Sequence, residues 1–108
     1  MHKQAILTQL GYSITSSTEA QLDRVIANTP GFENIEKHLI ALHDMLKSHQ
    51  SFVALSSNKD YFKIKNEAQN TDLIAEVNDM ILKWSDKYKI TVEKVPNKNT
   101  YYVIGFKS

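Results

Sequence analysis

The spacing of apolar residues along this chain switches between helical and strand periods, and each switch marks an element. Ile6, Leu7 and Leu10 ahead of Gly11 fit a short opening helix with a glycine stop. Tyr12-Ser13-Ile14 alternates like a stub of strand. Ser16 with Glu19, and Thr18 with Gln21, both have capping-box spacing, and Leu22, Val25 and Ile26 continue as a narrow helical stripe. Asn28-Thr29-Pro30-Gly31 ends that helix, with Thr29 the expected cap of the next and Pro30 its first residue. Phe32, Ile35, Leu39, Leu42 and Leu46, widened by Ile40 and Met45, then predict a helix over 32–48, closed by His49-Gln50-Ser51.

Beyond this point the period becomes two. Phe52-Val53-Ala54-Leu55 reads as a strand, 56–60 as a turn, and Tyr61-Phe62-Lys63-Ile64-Lys65 as the return. Asn70-Thr71-Asp72 then starts the best-written helix, with Leu73, Ile74, Val77, Met80, Ile81, Trp84 and Tyr88 on one face. Asp72 and Glu76 early, and Lys83 and Lys87 late, complement its dipole. A second hairpin runs from Ile90 to Val95, through Pro96-Asn97-Lys98-Asn99, and back over 100–106. Helices and hairpins in blocks predict a single α+β domain over 1–108. Its ββαββ unit should form an antiparallel sheet of about four strands with helices on one face.

Parity assigns the faces of that sheet. Phe62 and Ile64 belong to the core, and Tyr102, Ile104 and Phe106 are the apolar set that should join them. The open face then receives Tyr61, Lys63, Lys65, Tyr101, Val103 and Lys107, the candidate binding residues.

Composition narrows the chemistry. The chain has 108 residues, 42% hydrophobic, with Gly 3, Pro 2 and Cys 0, the balance of a chain with a real core. Without cysteine there is no thiolate catalysis, disulfide or Cys-ligated zinc. Isolated glycines assemble neither a P-loop nor a dinucleotide fingerprint, and no serine sits in a nucleophile elbow. His38 and His43 are five apart and point to different helix faces, so they do not chelate as a pair. The carboxylates Glu33, Glu36, Asp72, Glu76 and Asp79 fall on polar helix faces. No cofactor, metal or catalytic residue is expected. No signal peptide or spanning segment is read, which makes a cytoplasmic location the default.

The net charge of +1 conceals a separation. Segment 66–86 sets five carboxylates against Lys83, a net of −4, whereas 58–65 and 87–108 set eight lysines against Asp60 and Glu93, a net of +6. A lysine face bearing tyrosines can attract phosphates and stack bases, although lysine on open strands also keeps sheets from aggregating. The N-terminal order of helices and hairpin is also that of a winged-helix domain. The helix expected in the groove, however, carries Glu33, Glu36 and Asp44 against Lys37 and Lys47. The expected function is a small non-enzymatic interaction or regulatory protein that binds another protein or forms a homodimer. Its motive is apolar surplus at Ile6/Leu7/Leu10 and at Tyr101 and Val103. The alternative is a nucleic-acid-binding module using the lysine–tyrosine face or the winged-helix-like half.

Overall fold

A computed structural model describes residues 3–107. The α-helices are α1 (Lys3–Gln9), α2 (Ser16–Ala27), α3 (Glu36–Leu46) and α4 (Thr71–Lys87), and the strands are β1 (Phe52–Leu55), β2 (Phe62–Lys65), β3 (Ile90–Lys94) and β4 (Thr100–Phe106). The strands form one antiparallel sheet in the order β1-β2-β4-β3, so the two hairpins meet at β2 and β4. The fold is α+β, with N-terminal helices ahead of the ββαββ unit.

Two helix starts differ from the expected ones. The N-cap of α2 is Thr15, whose hydroxyl accepts from the Thr18 N–H at 3.0 Å, while the Thr15 N–H donates to the Thr18 hydroxyl at 2.9 Å. Thr18 thus takes the role that the spacing gave to Glu19 or Gln21. Thr29 does not cap the helix that follows it. It is buried, and its hydroxyl donates to the Val25 carbonyl at 2.7 Å, closing α2 instead. The expected helix over 32–48 is three pieces: a 3₁₀ turn at Phe32–Asn34, α3, and a second 3₁₀ turn at Lys47–His49. Gly31 opens the first turn with φ of 71°. Residues 12–15 form no strand, and Tyr12 instead reaches β1 through its hydroxyl.

One continuous core lies between the helices and one sheet face. Leu22, Val25, Leu39, Leu42, Val77 and Ile81 are packed with Val53, Leu55, Phe62, Ile64, Tyr101 and Val103. Ile6, Leu7 and Leu10 belong to the same core, so the N-terminal stripe is not surplus. Fully burying side chains of this size is worth about 1.5–3 kcal/mol each. The inner face of β4 therefore corrects the parity reading: Tyr101 (3% exposed) and Val103 (0%) point inward.

The register supplies the reason. Phe62 pairs with Val103 and Ile64 with Tyr101, which puts each pair on one face, whereas Lys63 pairs with Tyr102. The buried Tyr101 hydroxyl is satisfied, donating to Asn78 Oδ1 at 3.1 Å beneath the sheet. Asn66 donates to that same oxygen at 2.9 Å and to the Ile74 carbonyl, and its own N–H donates to the Asn99 carbonyl. Further along β4 the pairing skips Ile104, which is the extra residue of a β-bulge. After the bulge Phe106 pairs with Ile90 and packs against the core, as expected from parity, while Tyr102 does not.

The β1 edge is closed by side chains. Val53 and Leu55 direct their N–H groups away from β2, and they donate to His43 Nδ1 at 3.0 Å and to the Tyr12 hydroxyl at 2.9 Å. An edge whose donors are already bonded offers little template for another strand.

Candidate functional site

Two surfaces stand out, one on each side of the molecule. On the outer sheet face the register brings together Ala54, Lys63, Tyr102 and Glu93 in one row across the four strands. Phe52, Lys65 and Thr100 form the next row. Tyr61 precedes β2, and its ring lies 5.3 Å from that of Tyr102 at an angle of 39°. Lys59 Nζ is 5.7 Å from the Tyr102 ring centre, within cation–π range.

Of the expected binding residues, Tyr61, Lys63 and Lys65 are thus brought together here. Tyr101 and Val103 lie on the opposite, buried side, and Lys107 lies past the end of β4, where its N–H donates to the Lys89 carbonyl. Tyr102 takes the place that parity had assigned to Tyr101. Lys59, counted in the sequence among the hairpin lysines but not among the face residues, joins the group because its turn is fastened to α2. Gln21 donates to the Ser56 carbonyl at 3.0 Å, Asn28 donates to the Asp60 carbonyl at 2.9 Å, and Arg24 lies 3.6 Å from the Asp60 carboxylate. Within the turn the Ser56 hydroxyl accepts from the N–H groups of Asn58 and Lys59.

The second surface is a groove between α3 and α4. It has a volume of about 310 Å³ and is lined by Met45, Met80, Lys83, Trp84, Lys87 and Tyr88. Its floor is held rigidly, because Trp84 Nε1–H donates to the His38 carbonyl at 3.0 Å. The His38 ring stacks on Tyr88 with 3.8 Å between centres. Loss of solvent there, and then the charges of Lys37 and Lys87, hold His38 below the usual imidazole range. Met45 is 47% exposed, although its neighbours Leu42 and Leu46 are fully buried. A signal for this groove was in the sequence: the α4 stripe from Leu73 to Tyr88 is wider than one sheet contact buries, so Met80 and Tyr88 spill past its edge.

The histidines otherwise act as fasteners. His43 is 5% exposed, and its Nδ1 lone pair is spent on Val53. His49 Nε2 lies 2.9 Å from Glu76, and its Nδ1 lies 3.0 Å from the Ser48 hydroxyl. This serine–histidine–glutamate chain has the order of a hydrolytic triad. The Ser48 hydroxyl also donates to the Met45 carbonyl, however, and the following N–H groups of Gln50 and Ser51 are bonded to Lys47 and Leu46 carbonyls. Neither of those donors is free to hold an oxyanion, and the chain ties the end of α3 to α4. Among the described residues no cluster of three or more histidines and carboxylates could hold a metal ion. No helix among them is long and apolar enough to cross a membrane.

No protein-family model matches this chain, and comparison with curated proteins and with solved structures gave no match either.

Proposed function

We propose that this chain is a small interaction domain that binds a protein partner in the groove between α3 and α4. The observation that carries this reading is Met45, a large apolar side chain held 47% exposed beside Met80, Trp84 and Tyr88. Methionine-lined grooves adapt to varied apolar side chains, and aromatic floors supply most of the binding energy at interfaces. Lys87 borders the groove, with Lys83 beside it paired to Asp79 at 3.0 Å, so the fitting segment carries one or two large apolar residues with a carboxylate beside them. Self-association through the apolar surplus loses its motive, because Ile6, Leu7, Leu10, Tyr101 and Val103 are all spent in the core.

Trp84 is the single tryptophan and lies in the groove, which makes its emission a local probe. Peptides selected from a random library on the immobilised domain should combine a large apolar residue with Asp or Glu and shift that emission. Met45→Glu should weaken their binding at least tenfold, and Tyr102→Ala, on the far face, should leave it unchanged. Selected peptides that bind Met45→Glu as well as the parent would refute the reading. Light scattering over a range of concentrations separates a second copy from a foreign partner as the occupant.

A further inference from the structure

Beyond the groove, we propose that the outer face of the sheet binds single-stranded nucleic acid, through Tyr61, Tyr102, Lys59 and Lys63. The four residues come from the β1–β2 turn, β2 and β4, and the structure already holds them as a unit. The tyrosine rings lie 5.3 Å apart, Lys59 stands over Tyr102, and Lys63 is the cross-strand partner of Tyr102. The turn that presents Lys59 and Tyr61 is pinned by Gln21, Arg24 and Asn28, so little ordering is left for a ligand to impose.

The charges select a polyanion. Among the described residues Lys59 and Lys63 form no ion pair, whereas Lys65 is engaged by Glu67 at 3.5 Å and Arg24 by Asp60. Glu93, opposite Tyr102 on β3, bounds the basic patch and turns a phosphate backbone toward the β1–β2 turn. The tyrosines then select a single strand, because stacking needs base faces that a duplex keeps covered. With Arg24 the only arginine, and already committed, the face lacks the bidentate group that reads base edges. Binding is therefore tolerant of sequence. The helices pack against the other face, so this site and the groove can be occupied together.

Fluorescence anisotropy of labelled single strands about a dozen nucleotides long tests the site on the whole chain. Binding near micromolar is expected, weakening with salt at a log–log slope of about −1.4 for two phosphate contacts. Tyr102→Ala should weaken it about tenfold, and Tyr102→Phe should keep it, since stacking does not need the hydroxyl. Lys63→Glu should weaken binding to a similar extent and flatten the salt slope, and circular dichroism checks that each variant is folded. Met45→Glu should bind as the parent does, which separates this site from the groove. The proposal is overturned if the parent does not bind, or if folded Tyr102→Ala and Lys63→Glu keep the parent affinity. It is also overturned if a duplex, a phosphopeptide or an anionic vesicle binds as tightly as the single strand.

Discussion

Replacing His43 with leucine removes one acceptor from the closed edge of the sheet, and the cost is set by what is left behind. The Val53 N–H points away from β2 and has His43 Nδ1 at 3.0 Å as its partner. Val53 is 0% exposed, so water does not replace the lost acceptor. A buried donor without a partner costs about 1–3 kcal/mol, and leucine fills enough of the imidazole volume to keep any cavity small. Urea unfolding at pH 8, followed by Trp84 emission, should show a loss of about 2 kcal/mol with an unchanged m value.

The same histidine gives the loss a pH dependence. Burial first, and then the charge of Lys47, lower its pKa from the ordinary value of 6.5, against smaller opposing pulls from Asp44 and the Gln9 carbonyl. The unfolded chain therefore takes up the proton before the folded one does. The stability His43 provides is complete above pH 6.5 and is lost as the pH falls from there through the folded pKa. One proton limits the slope to about 1.4 kcal/mol per pH unit. His38, also lowered, contributes to the same window in parent and variant alike. The stability gap between parent and His43→Leu should thus narrow between pH 8 and about pH 5.5, above the range where exposed carboxylates titrate. A gap that is constant with pH, or absent at pH 8, would refute the buried-acceptor argument.

Three further substitutions test other joints of the fold. A Cβ on Gly31 would stand 2.6 Å from Phe106 Cβ at a φ of +71°, where the neighbouring Pro30 carbonyl also accepts from the Phe106 N–H. Gly31→Ala should cost about 2 kcal/mol or more, read as a lowered midpoint in denaturant. Thr15→Ala should cost about 1 kcal/mol through the lost cap of α2, with Ser16→Ala near neutral in the same assay. Tyr101→Ala should cost about 3–5 kcal/mol, whereas Tyr102→Ala should cost less than about 1 kcal/mol. The reverse order in thermal melts would return β4 to the parity that its apolar count implies.

That parity shows where local pattern stops carrying information. The α4 stripe, both hairpins and the core face of β2 were legible, because period and turn residues decide them within a short window. In β4 two candidate faces competed, and the one with more apolar atoms, Tyr102/Ile104/Phe106, was the natural choice. What decides the matter is nonlocal: Asn78 on α4 supplies an acceptor for Tyr101, and Asn66, just past β2, bonds both to that Asn78 oxygen and to the Asn99 carbonyl ahead of β4. The bulge at Ile104 then returns Phe106 to the core, so both sets are partly served. The groove was legible only in part, through the width of the α4 stripe. Met45, Met80 and Tyr88 all look like core residues on their own helices, yet Met80 and Tyr88 are only half-buried at the core's margin and Met45 is exposed.

The N-terminal helices bear on function in a way their charges alone did not convey. Gln21 and Arg24 on α2, and Asn28 at its C-cap, lie at i, i+3 and i+7 along one face, and all three reach the β1–β2 turn. Arg24, the residue best suited to a phosphate, is spent on Asp60 in holding that turn. This works against α2 and α3 as a DNA-reading pair and for α2 as the support of Lys59 and Tyr61. Damage to the support should therefore reach the outer face: Asn28→Ala, which removes a bond to the Asp60 carbonyl and none to either tyrosine, should weaken single-strand binding severalfold. It should leave peptide binding in the α3–α4 groove at the parent level. Equal loss at both surfaces would instead mean that the variant had loosened the whole domain, and α2 would have no particular role in presenting the turn.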